Sequence, residues 1–210
     1  TVVVQKAGEI IPEIVSVVKE KRPEGTKPYH LPDKCPVCGA AVLRDPDGAA
    51  VRCTGAECPA QLLRNMIHFA SRDAMDIDGV GPAVLQQLIE SGLVSNPADL
   101  YDLRAEQLEG LDRMGKKSAQ NAVGAIARSK ENDLWRLIFA LGIRQVGAKA
   151  AKILATHFGS MDGLRRATAE ELTEIDDVGA VTADYITRWM QSDQAADLLA
   201  RLQKAGVNME

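Results

Sequence analysis

The chain has 210 residues, 46% hydrophobic and 26% charged, enough to bury a core and to form one large or two to three small domains. No apolar run reaches membrane-spanning length and no signal-peptide pattern opens the chain, so a cytoplasmic protein with no membrane partner is expected. The net charge of −4 would oppose nucleic-acid binding if it were even, but Arg113 to Arg166 holds eleven basic residues against three acids. That block carries +8 and leaves −12 for the rest. A basic block of this kind is either an electrostatic footprint for phosphate or a solvated helical surface. Aromatic residues, at 4%, are too few for the base-stacking platforms used on single strands.

Residues 1–18 alternate weakly through Val2-Val3-Val4 and Ile10-Ile11, with a break at Ala7-Gly8 and Pro12, and read as one or two strands. Two strands are not stable alone, so this piece is expected to belong to a larger β-rich domain. Lys19 to His30 is polar, carries Pro23, Gly25 and Pro28, and reads as a linker. A cysteine module follows: Cys35-x2-Cys38, fourteen residues, then Cys53-x4-Cys58. Each close pair offers two thiolates from one turn, with Gly39 and Gly55 letting the backbone curl, and Asp45-Pro46-Asp47-Gly48 marks a turn in the insert. The spacing predicts one structural Zn(II) on Cys35, Cys38, Cys53 and Cys58. Two disulfides or four free thiols are the alternatives, and a cytoplasmic setting disfavours the first. Four thiolates leave no open position for water, so metal-assisted hydrolysis is not expected. His30, His68 and His157 lack ligand spacing and are expected to pack or to face solvent.

From Gln61 onward the pattern is helical, and one unit recurs four times. The copies read Ile77-Asp78-Gly79-Val80-Gly81, Leu111-Asp112-Arg113-Met114-Gly115, Ile143-Arg144-Gln145-Val146-Gly147 and Ile175-Asp176-Asp177-Val178-Gly179. The closing glycines are 34, 32 and 32 positions apart. Four positions beyond each stands Leu85, Ala119, Ala151 or Ala183, and three further on Leu88, Ala122, Leu154 or Ile186. This predicts a helix, a tight hairpin and a second helix, with the closing glycine making the sharp turn. Amides at the start of the second helix would then form a small anion site suited to a phosphate. Thr168 and Glu171 have capping-box spacing, and a last helix is predicted over 192–205, ended by Gly206.

The residues expected at DNA are Gly79, Gly81, Gly115, Lys116, Lys117, Arg144, Gly147, Lys149 and Gly179. Lysines, arginines and amides read phosphates and not bases, so the expected partner is duplex DNA gripped by its backbone across the minor groove, with the repeats paired two by two. Asp176 and Asp177 would repel a phosphate at the fourth hairpin, where packing alone is an equal reading. The fold class expected is mainly α: tandem helix-hairpin-helix repeats behind a small β/zinc-ribbon module and a partial β-rich piece, which the family resemblance makes an OB-fold remnant. The boundaries read are 1–28 for the strands and linker, 29–62 for the zinc module and 63–210 for the repeats.

The order of these modules resembles the C-terminal half of bacterial NAD-dependent DNA ligases. Residues 1–14 look like the end of that family's OB domain, Cys35-Pro36-Val37-Cys38 with Cys53-x4-Cys58 like its zinc finger, and Gly115-Lys116-Lys117-Ser118-Ala119 and 137–147 like its second and third hairpins. Arg113, Gln145 and Asp177 depart from it where glycine would favour phosphate approach. The resemblance implies a DNA-binding fragment that holds nicked duplex while a parent enzyme seals the nick in replication and repair, in the cytoplasm at the nucleoid. NAD would be used by the parent and not bound here. The family's nucleophilic lysine lies in Lys-x-Asp-Gly. Asp45-Pro46-Asp47-Gly48 and Asp76-Ile77-Asp78-Gly79 both lack it, so no catalytic residue is expected in this chain, and the adenylation and remaining OB domains are expected as partners. A hairpin-bearing subunit of another repair or recombination complex, or a zinc-dependent protein scaffold, are the competing readings.

Overall fold

The computed structural model describes residues 1–8, 10–44, 50–53 and 58–210, so the expected turn at Asp45 to Gly48 and the turn glycine Gly55 lie outside the described residues. Its contacts divide the chain into two units, Thr1–Thr54 and Gly55–Glu210.

In the first unit, the β-branched runs form β1 (Val2–Ala7) and β2 (Ile11–Val17), paired antiparallel from Val2 opposite Val17 to Ala7 opposite Ile11, with a bulge between Val3 and Val4. Of the one or two strands expected, two are present. Their apolar side chains remain open on both faces, Val2 to Val4 and Ile14 among them. The polar stretch after β2 holds only a short 3-10 turn, Lys19–Lys21, with no buried residue. Two short strands then frame the cysteine module, β3 (Val42–Arg44) and β4 (Val51–Cys53), with Val42 opposite Cys53 and Arg44 opposite Val51.

The described residues of the second unit form helices and the turns between them. Pro59 at the first turn opens α1 (Pro59–Ala70), as Pro suits a position whose amide has no intrahelical partner. The repeats supply α2 (Pro82–Glu90), α3 (Ala105–Glu109), α4 (Lys116–Ser129), α5 (Leu134–Ala140) and α6 (Ala148–Phe158). Then come α7 (Met161–Arg166), α8 (Ala169–Thr173), α9 (Ala180–Met190) and α10 (Asp193–Lys204). The first helix of repeats two and four (α3 and α8) is only five residues long, shorter than the periodicity suggests. Each nevertheless buries one anchor, Leu108 or Leu172, at 0% exposure. The predicted capping box closes α8: the Thr168 amide donates to Glu171 Oε2 at 2.9 Å and the Glu171 amide to Thr168 Oγ1 at 3.2 Å. Asn96 caps a 3-10 turn, Pro97–Asp102, its Oδ1 accepting the Ala98 amide at 2.9 Å.

One continuous apolar core runs through this unit from Met66 to Val207. The repeat register predicts it closely. Leu85, Ala119 and Ala151 are fully buried and Ala183 nearly so, as are Leu88, Ala122, Leu154 and Ile186 one turn on. The far end of the chain is tied back to earlier loops. Arg201 of α10 pairs with Asp99 after the first repeat, the Asn208 amide donates to the Lys130 carbonyl at 2.8 Å, and the Met161 amide donates to that of Met209 at 2.8 Å. Asp99 is partly buried, which pushes its carboxyl up; bonds from Ser95, Arg201 and the Asn96 amide more than offset this and hold it below 3.8.

Candidate functional site

The four cysteine sulfurs all lie within 4.8 Å of one another. A zinc ion with Zn–S bonds of about 2.3 Å in a tetrahedron needs sulfurs about 3.8 Å apart, so the donor set fits the ion. Cys38 Sγ is 3.4 Å from Cys53 Sγ, far beyond the roughly 2.05 Å of a disulfide, and none of the four cysteines is disulfide-bonded. The local backbone builds the site. The Gly39 amide donates to the Cys35 carbonyl at 2.9 Å and the Cys35 amide to the Ala40 carbonyl at 2.8 Å, a tight knuckle that turns at Gly39 with φ +72. The Cys38 and Val37 amides point at the Cys35 thiol and, with the neighbouring thiols, lower its pKa from 9.0 to about 6 against the opposing effect of burial. Cys58 caps α1, where the helix dipole favours a thiolate. His68 is elsewhere employed: its Nε2 donates to the Phe139 carbonyl at 2.7 Å and its ring meets Phe139 edge-on.

The hairpins share one geometry. In each, the amide of the fourth residue (Val80, Met114, Val146 or Val178) donates to the carbonyl of the first (Ile77, Leu111, Ile143 or Ile175) at 3.0 to 3.4 Å. The third residue is left-handed: Gly79 at φ +82, Arg113 at +60, Gln145 at +66 and Asp177 at +65. Positive φ at that one place is the mark of a type II turn. This corrects the sequence reading. The closing glycines do not make the sharp turn, for Gly81, Gly115, Gly147 and Gly179 have ordinary extended φ of −79 to −84. They are the N-caps of α2, α4, α6 and α9, and each carbonyl accepts the amide four residues on, from Leu85, Ala119, Ala151 or Ala183, at 2.9 to 3.0 Å. None has a side chain to cap the first turn. A Cβ at any of the four would meet nothing within 4 Å.

The hairpins also pack in pairs. A Cβ on Gly79 would lie 3.4 Å from Ala122 of α4, so hairpin one rests on repeat two. Gln87 of α2 accepts the Asp112 amide at 2.7 Å, joining repeat one to hairpin two. The second pair repeats this register: Tyr185 of α9 lies under Arg144 of hairpin three, its ring centroid 4.8 Å from the guanidinium carbon. Gln87 and Tyr185 each stand six residues after a closing glycine, and Asp112 and Arg144 three before one.

Among the lysines expected at DNA, Lys116 and Lys117 are exposed in the first turn of α4, where a cation opposes the helix dipole and an external anion would reverse that cost. Lys149 is exposed in the first turn of α6, with its Nζ 2.5 Å from Asp177 Oδ2. Asp177, read from sequence as a bare repulsive charge, thus has a cation partner, and the bond raises the Lys149 pKa. Arg136, counted in the basic block, is spent on the fold: its Nη1 donates to the Arg72 and Ala74 carbonyls, and its guanidinium stacks on Trp135. Periodicity could not find Arg72 and Ala74 as partners of Arg136, or Asp177 as that of Lys149, because they lie far apart in sequence.

Comparison with known proteins follows the same divisions. Residues 34–60 match the NAD-dependent DNA ligase C4 zinc finger domain, residues 71–127 a SAM-like helix-hairpin-helix tandem, and residues 136–199 a helix-hairpin-helix motif. The last two spans coincide with the two packed pairs. The chain is 54% identical over 209 residues to a DNA ligase of Heliobacterium modesticaldum, covering 100% of this chain and 31% of that one. It is 55% identical over 207 residues to a DNA ligase of Pelotomaculum thermopropionicum, covering 99% and 30%. It is 50% identical over 210 residues to one of Thermoanaerobacter sp., covering 100% and 32%. The chain thus spans about a third of the length of the curated relatives it matches. Four clustered thiols, two packed pairs of hairpins and similarity along its whole length make this chain the zinc-finger and helix-hairpin-helix segment of the NAD-dependent DNA ligase family.

Proposed function

We propose that this segment grips duplex DNA through its phosphates, without reading sequence, and so holds a nicked duplex across its minor groove while the adenylation domain of a parent ligase uses NAD to seal it. The observation that carries the reading is the open space at the four closing glycines. Neither their φ nor any neighbouring atom requires glycine, so what a side chain there would obstruct comes from outside the chain. A helix N-terminus with no capping side chain favours an anion at that place. Gly81, Gly115, Gly147 and Gly179 would admit the phosphate, Gly79 would turn the first hairpin toward it, and Lys116, Lys117, Arg144 and Lys149 would supply charge. The zinc on Cys35, Cys38, Cys53 and Cys58 would be structural. In this reading 1–28, 29–62 and 63–210 are the functional modules and the parent works at the nucleoid in the cytoplasm.

The test is the salt dependence of duplex binding. Log affinity should fall with log salt by ~0.9 per phosphate contact and be alike for unrelated sequences. Lys116→Ala with Lys117→Ala should weaken every sequence equally and lower that slope, and Gly147→Leu should weaken binding more than Gly179→Leu. A chain that takes up no duplex at low salt would favour the scaffold reading.

A further inference from the structure

We infer that Asp177 is an internal stand-in for a DNA phosphate: its carboxylate holds Lys149 in the free chain and is exchanged for a phosphate oxygen when hairpin three takes up DNA. Hairpin four is then a brake on hairpin three. The inference rests on the phosphate-binding reading above and adds a regulatory element to that site.

The geometry is specific. Lys149 stands two residues after Gly147, in the first turn of α6, where uncapped amides face outward. The oxygen 2.5 Å from its ammonium belongs to the third residue of the neighbouring hairpin, which is left-handed at φ +65. The other hairpins carry Gly79, Arg113 and Gln145 at that position, so an acid there is peculiar to the fourth. The pair is open to solvent, with side chains 80% and 44% exposed, so it does not support the core and can be exchanged. Repeat four also covers the other cation of hairpin three, since Tyr185 lies against Arg144. A carboxylate and a phosphate oxygen are alternative acceptors for one ammonium, and they compete for it.

The experiment measures affinity for a short nicked duplex by fluorescence anisotropy, on the zinc-loaded 210-residue chain at low salt. Asp177→Asn keeps a residue that tolerates positive φ. It should tighten binding about two- to fivefold, the range that release of an exposed ion pair allows. Asp177→Gly, which reproduces Gly79, should do the same and stands in if the first variant melts early. Asp176→Asn removes the same charge next door and controls for plain electrostatics; it should change affinity less than about 1.5-fold. In a Lys149→Gln background, which itself weakens binding, Asp177→Asn should shrink to the Asp176→Asn effect. A gain no larger than that of Asp176→Asn, a loss of affinity, or a gain that persists without Lys149 overturns the inference while leaving DNA binding intact. If the wild-type chain takes up no duplex, the phosphate-binding reading falls and this inference with it.

Discussion

The two ends of this chain solve the problem of folding in opposite ways. In the β1–β2 hairpin the large apolar residues are 43% to 82% exposed, whereas the helical unit buries an unbroken core from Met66 to Val207. A two-stranded sheet has nothing behind either face, and Val2-Val3-Val4 carries apolar side chains to both of them. The short β3–β4 ribbon beside the cysteines is no better provided. Its order has to come from a metal or a covering surface, not from burial. The helical unit needs neither, because each repeat returns an apolar stripe to the same side every turn and its neighbour covers it. Two stability regimes in one chain are the consequence.

The largest test of this contrast is zinc removal. Zinc on Cys35, Cys38, Cys53 and Cys58 should contribute on the order of 10 kcal/mol to the cysteine module. Chelation, or Cys35→Ala, should therefore abolish amide protection around β3 and β4 while the helical circular dichroism persists. Loss of both together would show that the helical unit depends on the metal too, and elemental analysis without zinc would remove the basis of the contrast.

The reciprocal test strikes the core. Leu154 is fully buried on α6, and Leu154→Ala should destabilise the helical unit by about 2–5 kcal/mol, read from urea unfolding. Zinc content should not change. If it fell in step with helical stability, the two regimes would be one.

A smaller test sharpens the picture within the hairpins. Arg113 and Gln145 occupy a left-handed conformation that costs an L-residue roughly 1–2 kcal/mol, partly offset in the unfolded chain, where glycine loses more entropy. Arg113→Gly and Gln145→Gly should each raise stability by about 0.5–1 kcal/mol. Gly79→Ala should lower it by at least as much, since φ is +82 and the new methyl meets Ala122 at 3.4 Å. By contrast, Gly115→Ala and Gly147→Ala, which exchange a fair N-cap for a poorer one, should cost no more than about 1 kcal/mol of stability and act chiefly on DNA binding. Thermal melts with and without duplex separate the two kinds of glycine. A large stability loss at Gly115 or Gly147 would mean that the fold, and not a ligand, demands them.

How much of this was legible beforehand depended on the range of the interaction. The cysteine spacing, the Thr168–Glu171 cap, the helical period and the four hairpins are local patterns, and local geometry followed from them: four sulfurs within 4.8 Å, a closed capping box, and Leu85, Ala119, Ala151 and Ala183 buried in register. Burial periodicity and turn chemistry act over a few residues, so the amino-acid order alone determined them. It did not reveal which glycine carries the turn, because Gly79, Arg113, Gln145 and Asp177 share one backbone conformation and no residue type. Nor did it reveal that Arg136 serves the carbonyls of Arg72 and Ala74, that Arg201 reaches back to Asp99, or that Lys149 meets Asp177. Those partners are chosen by how the repeats pack against one another. A charge in the sequence is only a capacity for a bond, and three-dimensional proximity decides whether a carbonyl, a carboxylate or an outside phosphate fills it.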